Sequence, residues 1–250
     1  MSLPPHASAD QLADVRAQLA VAERLTARWA VALGELDGAT AKGASGLPGW
    51  SRGHVVTHLA RNADGLLNLL TWASTRVEHP MYASDADRDA DIEEGSHRLA
   101  QVINEDFAAS AQRFSVAADG MTEAAWAATV MDRRGGPMPV RVVPLMRLVE
   151  LAIHLVDLDM GFDFGELAEA VGDQLPAVLR VAVARYTERP GVAAVALTVE
   201  YQDGQRQQLR FGAGEPTQVS GSADDALAWL TGRADGSRLA GPAPRLPDWL

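Results

Sequence analysis

Apolar residues recur at three- and four-residue steps over long stretches of the first two thirds of the chain. The clearest stripe falls within 8–36 and consists of Leu12, Val15, Leu19, Ala22, Leu25, Trp29 and Leu33. This period is that of an amphipathic helix. The same reasoning predicts further helices over 51–74, 85–120 and 143–160, the first of them capped by Ser51. Four helices of this length, joined by moderate loops, indicate a four-helix bundle.

The pattern changes after Gly161. A helix is predicted over 173–188, and strict alternation at 195–201 then indicates a half-buried strand. The Asp203-Gly204 turn leads into a returning strand over 205–211, and Ser222 caps a short helix over 223–232. The sequence therefore predicts an α+β fold, with a four-helix bundle at 1–165 followed by a small α+β domain at 166–250.

Composition and charge narrow the possible functions. The chain has 250 residues and a formal net charge of −11, which argues against nucleic acids and anionic membranes as partners. The sequence contains no apolar run long enough to cross a bilayer and no recognisable secretory signal, so we expect a cytoplasmic protein. Cysteine is absent, so any metal ion must be held by histidine and carboxylate side chains. An anionic substrate would need arginine side chains inside a pocket.

Two pairs of residues four positions apart could carry chemistry. His54 and His58 lie on the second predicted helix, and Glu150 and His154 lie on the fourth. Residues four apart share a helix face, so both pairs could point towards one place in the bundle. The segment around Glu150 is apolar on nearly every side, where an unpaired carboxylate would be costly and a metal ion would remove that cost. The ordinary alternative is a helix-surface pair without a metal. Asp157 could support such a site from nearby.

Two segments resemble a known family. They are residues 49–63, GWSRGHVVTHLARNA, and residues 146–158, MRLVELAIHLVDL. Both are similar to the DinB-like metal-binding bundles and, among these, to the mycothiol-dependent maleylpyruvate isomerases. Further matches are NLLTWA at 68–73, PMY at 80–82, VSGS at 219–222 and PDWL at 247–250, so the resemblance spans nearly the whole chain.

The resemblance implies specific roles for residues of this chain. It implies a zinc ion, or another divalent metal ion, held by His58, Glu150 and His154, with His54 outside the ligand set. It also implies that Arg88 and Arg233 act on the carboxylates of the substrate. Two further residues, Asn62 and Asp157, are candidates for lining the same cavity, Asn62 next to the thiol cofactor.

The resemblance implies cis–trans isomerisation of maleylpyruvate to fumarylpyruvate by reversible addition of mycothiol to the double bond. The expected partners are a small dicarboxylate and a low-molecular-weight thiol, and the expected assembly is a monomer or small homo-oligomer. One alternative is a thiol S-transferase acting on electrophiles, which would not need both arginines. Another is a non-enzymatic, metal-stabilised binding module, which a closed metal shell with His54 as fourth ligand would favour.

Overall fold

A computed structural model describes residues 7–187 and 189–249 of the chain, which divides into the units Met1–Phe162 and Asp163–Leu250. The boundary predicted from the sequence lies three residues further along the chain. The last residue of the helix predicted over 173–188, the last residue of the closing PDWL segment, and His6 lie outside the described residues.

Four long helices pack into a bundle in the described part of the first unit. The elements, in chain order, are α1 Ala9–Leu33, α2 Gly38–Lys42, α3 Arg52–Thr75, α4 Asp85–Ser96, α5 Ala100–Asp119, α6 Glu123–Trp126, β1 Thr129–Met131, β2 Pro137–Pro139, a 3₁₀ turn Val140–Val142, and α7 Val143–Asp157. Helix α1 packs on α7, and α3 packs on both α5 and α7, while β1 and β2 form an antiparallel hairpin. The predicted fold class, α+β with an N-terminal helical bundle, is confirmed.

Local sequence explains why α3 and α7 form where they do. Ser51 caps α3, and its side chain accepts a hydrogen bond from the backbone N–H of His54, while the His54 ring reaches back to the backbone N–H of Ser51. Helix α7 has Pro144 in its first turn, where the missing N–H costs nothing. It ends at Asp157, three residues before the predicted end, because the chain reaches a left-handed backbone conformation at Asp159 (φ 55°).

The single helix predicted over 85–120 is wrong, because two helices, α4 and α5, occupy this stretch with a break at residues 97–99. Close packing at the end of α4 explains the break. A Cβ atom on Gly95 would lie 2.5 Å from Cγ2 of Thr57, so α4 approaches α3 more closely than a continuous helix with ordinary side chains could. Ser96 then donates its hydroxyl to the backbone carbonyl of Glu93, which competes with continuation of the helix.

The second unit is a small sheet with helices, and it contains two elements that the sequence analysis missed. Its elements are α8 Phe164–Val171, a 3₁₀ turn Gly172–Gln174, α9 Leu175–Thr187, β3 Ala193–Glu200, β4 Arg206–Phe211, β5 Ala213–Ser222 and α10 Ala223–Leu230. Strand β3 lies between β4, which is antiparallel to it, and β5, which is parallel to it. The missed elements are α8 and β5. A capping box formed by Asp163 and Glu166 marks the start of α8 and was available in the sequence.

The core of each unit is formed by buried apolar side chains. In the first unit the fully buried Trp29 ring lies 5.6 Å from the ring of Phe107, joining α1 to α5. In the second unit the Tyr186 ring lies 5.6 Å from the Phe211 ring, and its hydroxyl donates to the backbone carbonyl of Leu230 at 2.7 Å. Within the described residues, no helix combines the length and the apolar character needed to span a bilayer.

Candidate metal centre

Three side chains from α3 and α7 converge in the first unit. The Nε2 atom of His58 lies 2.8 Å from Oε2 of Glu150 and 3.1 Å from Nε2 of His154. The Nε2 atom of His154 lies 3.2 Å from the same Glu150 oxygen. Each residue thus offers one potential ligand atom, and the three atoms lie within 4.8 Å of one another. The site is a compact triangle of two imidazole nitrogens and one carboxylate oxygen.

Burial and helix geometry hold this triangle in place. His58 and His154 are 5% and 3% exposed, and the Glu150 side chain keeps about a quarter of its surface accessible. Glu150 and His154 are four residues apart on α7 and therefore face the same side of that helix. The two histidine side chains are packed against buried neighbours, whereas the carboxylate of Glu150 is the part of the cluster that solvent reaches.

Asp157 orients the ring of His154. Its Oδ2 lies 2.8 Å from Nδ1 of His154, and the carboxylate is almost completely buried. A carboxylate on one nitrogen of an imidazole fixes the proton there and directs the other nitrogen to a metal ion. On the α3 side, the ring of Trp50 lies 5.6 Å from the ring of His58 and forms a wall against it. The sequence analysis did not single out Trp50 as a site residue.

The protonation states favour metal binding at two of the three residues. Burial lowers the pKa of His58 to about 4, so its ring is neutral at neutral pH. Burial alone would raise the pKa of Glu150, but hydrogen bonds with His154 and His58 outweigh it and hold the pKa well below its usual value. Burial alone would lower the pKa of His154, but hydrogen bonds with Asp157 and Glu150 outweigh it and raise the pKa. A neutral imidazole and an ionised carboxylate are the forms that metal ions bind.

The donor set fits a divalent metal ion such as zinc. At bond lengths of about 2.0–2.2 Å, tetrahedral ligand atoms lie roughly 3.3–3.6 Å apart. The observed separations of 2.8, 3.1 and 3.2 Å are slightly shorter, and small side-chain rotations would open them. Two histidines and one carboxylate are a ligand set of catalytic zinc sites, which keep a further position open. The same donors also suit nickel, iron or cobalt.

Arg88 lies directly against the cluster. Its Nη2 is 3.0 Å from Nδ1 of His58, and its Nη1 is 2.6 Å from a carboxylate oxygen of the exposed Asp89. The guanidinium also lies over the ring of Tyr82, 5.8 Å from the ring centroid, as a cation–π contact. Burial raises the pKa of Tyr82, so its phenol stays neutral. Tyr82 belongs to the PMY segment, but the sequence analysis gave it no role.

Asn62 is buried one turn beyond His58 and is held by a second arginine. Its Oδ1 accepts a hydrogen bond of 2.9 Å from Nη1 of Arg147, a residue of α7 that is 1% exposed. The sequence analysis missed Arg147. The available signal was a cation within an otherwise apolar helical segment, one turn before Glu150. The expected contact of Asn62 with a thiol cofactor stays a prediction.

The remaining candidates lie elsewhere. His54 turns its ring away from the triangle: Nδ1 lies 2.7 Å from the hydroxyl of Ser51, and Nε2 lies 3.1 Å and 3.2 Å from Ser96 and Glu93. The alternative that uses His54 as a fourth metal ligand therefore lacks support. Arg233 lies in the second unit, just after α10, and is half-buried, and its guanidinium donates to the backbone carbonyl of Thr231. Its predicted role at a substrate carboxylate stays a prediction.

Comparisons with known proteins identify the family of this chain. A family model described as the mycothiol maleylpyruvate isomerase N-terminal domain matches residues 22–159. The crystal structure of a mycothiol-dependent maleylpyruvate isomerase is similar with a TM-score of 0.79 and 28% identity, over 94% of this chain and 97% of that chain. A histidine-to-alanine mutant of a protein so named is similar with the same TM-score and coverage, at 27% identity. A search of curated proteins found no match. Because the family model matches more than half of the chain, the chain belongs to the family defined by the mycothiol maleylpyruvate isomerase N-terminal domain.

Proposed function

We propose that this protein is an isomerase that converts maleylpyruvate into fumarylpyruvate, using mycothiol and a divalent metal ion. The observation that carries the proposal is the position of Arg88, 3.0 Å from the ring of a potential metal ligand, His58. A guanidinium at the edge of a three-ligand cluster favours a site that binds an anionic substrate over a purely structural metal site. The two similar solved structures, both of proteins named as mycothiol-dependent maleylpyruvate isomerases, support the same reaction.

The proposed thiol chemistry rests on the absence of cysteine from the sequence and on the metal ion that the cluster could hold. The sequence contains no cysteine, so the nucleophilic sulfur has to come from a separate molecule. Addition of a thiolate turns the double bond of maleylpyruvate into a single bond, and rotation followed by loss of the same thiolate gives the trans isomer with no net change in atoms. A metal ion held by His58, Glu150 and His154 would favour the thiolate form or stabilise negative charge on the substrate.

Arg88 is proposed to bind one carboxylate of the substrate. Its present contact uses Nδ1 of His58 as a hydrogen-bond acceptor. When a neutral imidazole binds a metal ion through Nε2, Nδ1 carries the proton and can no longer accept. The guanidinium of Arg88 then needs another acceptor, and a carboxylate satisfies it with two parallel hydrogen bonds. The ring of Tyr82 supports the guanidinium from one side.

Two further residues complete the proposal. Arg233 is proposed to bind the second carboxylate, on the strength of the resemblance of its segment to the family. Asn62 is proposed to contact the thiol cofactor. Because its Oδ1 is already held by Arg147, its amide nitrogen is the group that it would offer.

The test is an ultraviolet absorbance assay of maleylpyruvate isomerisation by zinc-loaded protein, with and without mycothiol. Turnover should require both the metal and the thiol. His154→Ala should lose bound metal and activity together, whereas His97→Ala, at an exposed histidine of the same unit, should keep both. Arg88→Ala should retain the metal and lose at least about tenfold in kcat/KM, because it removes a charge-assisted contact.

Two results would contradict the proposal. Zinc-loaded wild-type protein that shows no turnover with mycothiol would refute the isomerase function, and conjugation of mycothiol to electrophiles by the same sample would establish the S-transferase alternative. Arg88→Ala and Arg233→Ala variants with wild-type kinetics would remove the proposed carboxylate anchors. Metal content, measured on each sample, separates loss of the site from loss of catalysis.

A further inference from the structure

A long groove lies between α1 and α5 in the first unit. Its cavity volume is about 760 Å³, which falls within the range of small-molecule binding cavities. Along α1 the lining extends from Arg16 to Leu33, which is about 26 Å at 1.5 Å per residue. Along α5 it extends from Asn104 to Asp119, or about 22 Å. The groove is therefore elongated.

The groove has an apolar floor and a mixed rim. Its floor includes buried residues of both helices: Ala22, Phe107, Ala111, Phe114 and Ala118. The alanine side chains are short, and the space between the two helices is left open where longer side chains would fill it. Such a floor can bury a slender apolar molecule, because removing its methylene groups from water is favourable.

A buried cation also lines the groove. Arg147, from α7, is 1% exposed, and its Nη1 donates to the backbone carbonyl of Leu59 at 2.8 Å and to Asn62 at 2.9 Å. Its Nη2, among the described residues, has no hydrogen-bond partner, although the charge of Glu150 acts favourably on the guanidinium. Burial lowers the pKa of Arg147 to about 10, so the side chain remains positively charged at neutral pH. Leaving a buried donor unpaired is costly, and an acceptor in the groove would remove that cost.

We propose that this groove binds an apolar monocarboxylic acid, with the carboxylate facing Nη2 of Arg147 and the apolar body lying along α1 and α5. Two features select this chemical class. A neutral apolar ligand would fill the groove but leave the guanidinium unpaired. A short dianion such as maleylpyruvate would pair with the guanidinium but leave most of the apolar floor exposed to water. The proposal concerns a site other than the metal cluster and does not depend on the isomerase function.

Calorimetric titration of the full-length, metal-loaded protein with decanoate tests the proposal, with decan-1-ol and decylamine as probes of equal chain length. Decanoate should bind saturably with one site per chain, and about tenfold or more tighter than either comparison probe, because only the carboxylate pairs with the guanidinium. Ala111→Leu adds bulk to the groove floor and should weaken decanoate binding by about tenfold or more. Val116→Leu, at an exposed position of the same helix, should leave the Kd unchanged.

Arg147→Met replaces the guanidinium with a shorter, unbranched and uncharged side chain, so it should abolish the preference for the acid over the alcohol. If this variant does not fold by circular dichroism, the acid-to-alcohol ratio of the wild type and the Ala111→Leu result decide instead. The proposal is overturned by the absence of saturable binding, which would mean that water fills the groove. Equal affinity for the acid and the alcohol, or an unchanged Kd in Ala111→Leu, would overturn it as well.

Discussion

Replacing Asp157 with asparagine isolates the electrostatic support of the metal cluster. The carboxylate lies 2.8 Å from Nδ1 of His154, and both side chains are almost completely buried. Asparagine has the same shape and can still accept a hydrogen bond through its amide oxygen, but it carries no charge. The Asp157→Asn variant therefore keeps the packing of the site and removes the negative charge that polarises the ring of His154.

The size of the effect follows from the strength of this contact. A hydrogen bond to a charged group contributes about 1.5–3 kcal/mol, and one between neutral groups contributes about 0.5–1.5 kcal/mol. The substitution should therefore cost about 1–2 kcal/mol of metal affinity, which is roughly a tenfold increase in Kd. This agrees with the loss of about 10- to 100-fold that is typical when a hydrogen-bond partner of a ligating histidine is removed.

Competition titration against a chromophoric zinc chelator measures the Kd directly. Asp159→Asn is the matched control, because Asp159 lies two residues away with its side chain 69% exposed, and it should bind zinc as the wild type does. Thermal unfolding of both variants without metal checks that the substitution leaves the fold intact. A Kd for Asp157→Asn within twofold of the wild type, together with a lowered Tm, would refute the reasoning, because it would assign Asp157 to structure alone.

Three further predictions concern contacts around the site. Gly95→Ala should lower the free energy of unfolding in urea by about 1–3 kcal/mol, because the new Cβ would meet the methyl group of Thr57. Adding Thr57→Ser removes that methyl group and should restore part of the loss. A wild-type free energy of unfolding for Gly95→Ala would show that α4 moves aside instead. Trp29→Phe should lower the free energy of unfolding in the same assay by about 1–3 kcal/mol, because it removes a buried hydrogen bond of 2.9 Å to a backbone carbonyl of α7. An unchanged free energy of unfolding would mean that the surrounding packing compensates. Tyr82→Leu should raise the KM for maleylpyruvate by about three- to tenfold, whereas Tyr82→Phe should not, because phenylalanine keeps the ring beneath Arg88. Equal effects of the two substitutions on KM would exclude the cation–π contact as the cause.

The two halves of the candidate metal cluster could be predicted because the geometry of each half is local. His58 lies on a strongly periodic helix capped by Ser51, and Glu150 and His154 share one face of another helix. The pattern of apolar residues does not show that α3 approaches α7, and only the resemblance to the family indicated this approach. In contrast, β5 could not be found from its sequence. It carries glycine, proline and several polar residues without alternation, and its pairing parallel to β3 depends on contacts that are distant along the chain.

The position of Arg88 depends on features that periodicity does not report. The segment from Met81 to Ser96 reaches the cluster because glycines allow it to lie close to α3. A Cβ atom on Gly65 would lie 2.9 Å from Cε1 of Tyr82, and Gly95 makes the corresponding approach from the α4 side. Neither glycine is required by a turn, since both lie within helices, where glycine is otherwise unfavourable by about 1 kcal/mol. Glycines inside well-formed helices are therefore the sequence signal for a close crossing, and here that crossing places a cation beside the candidate metal ligands.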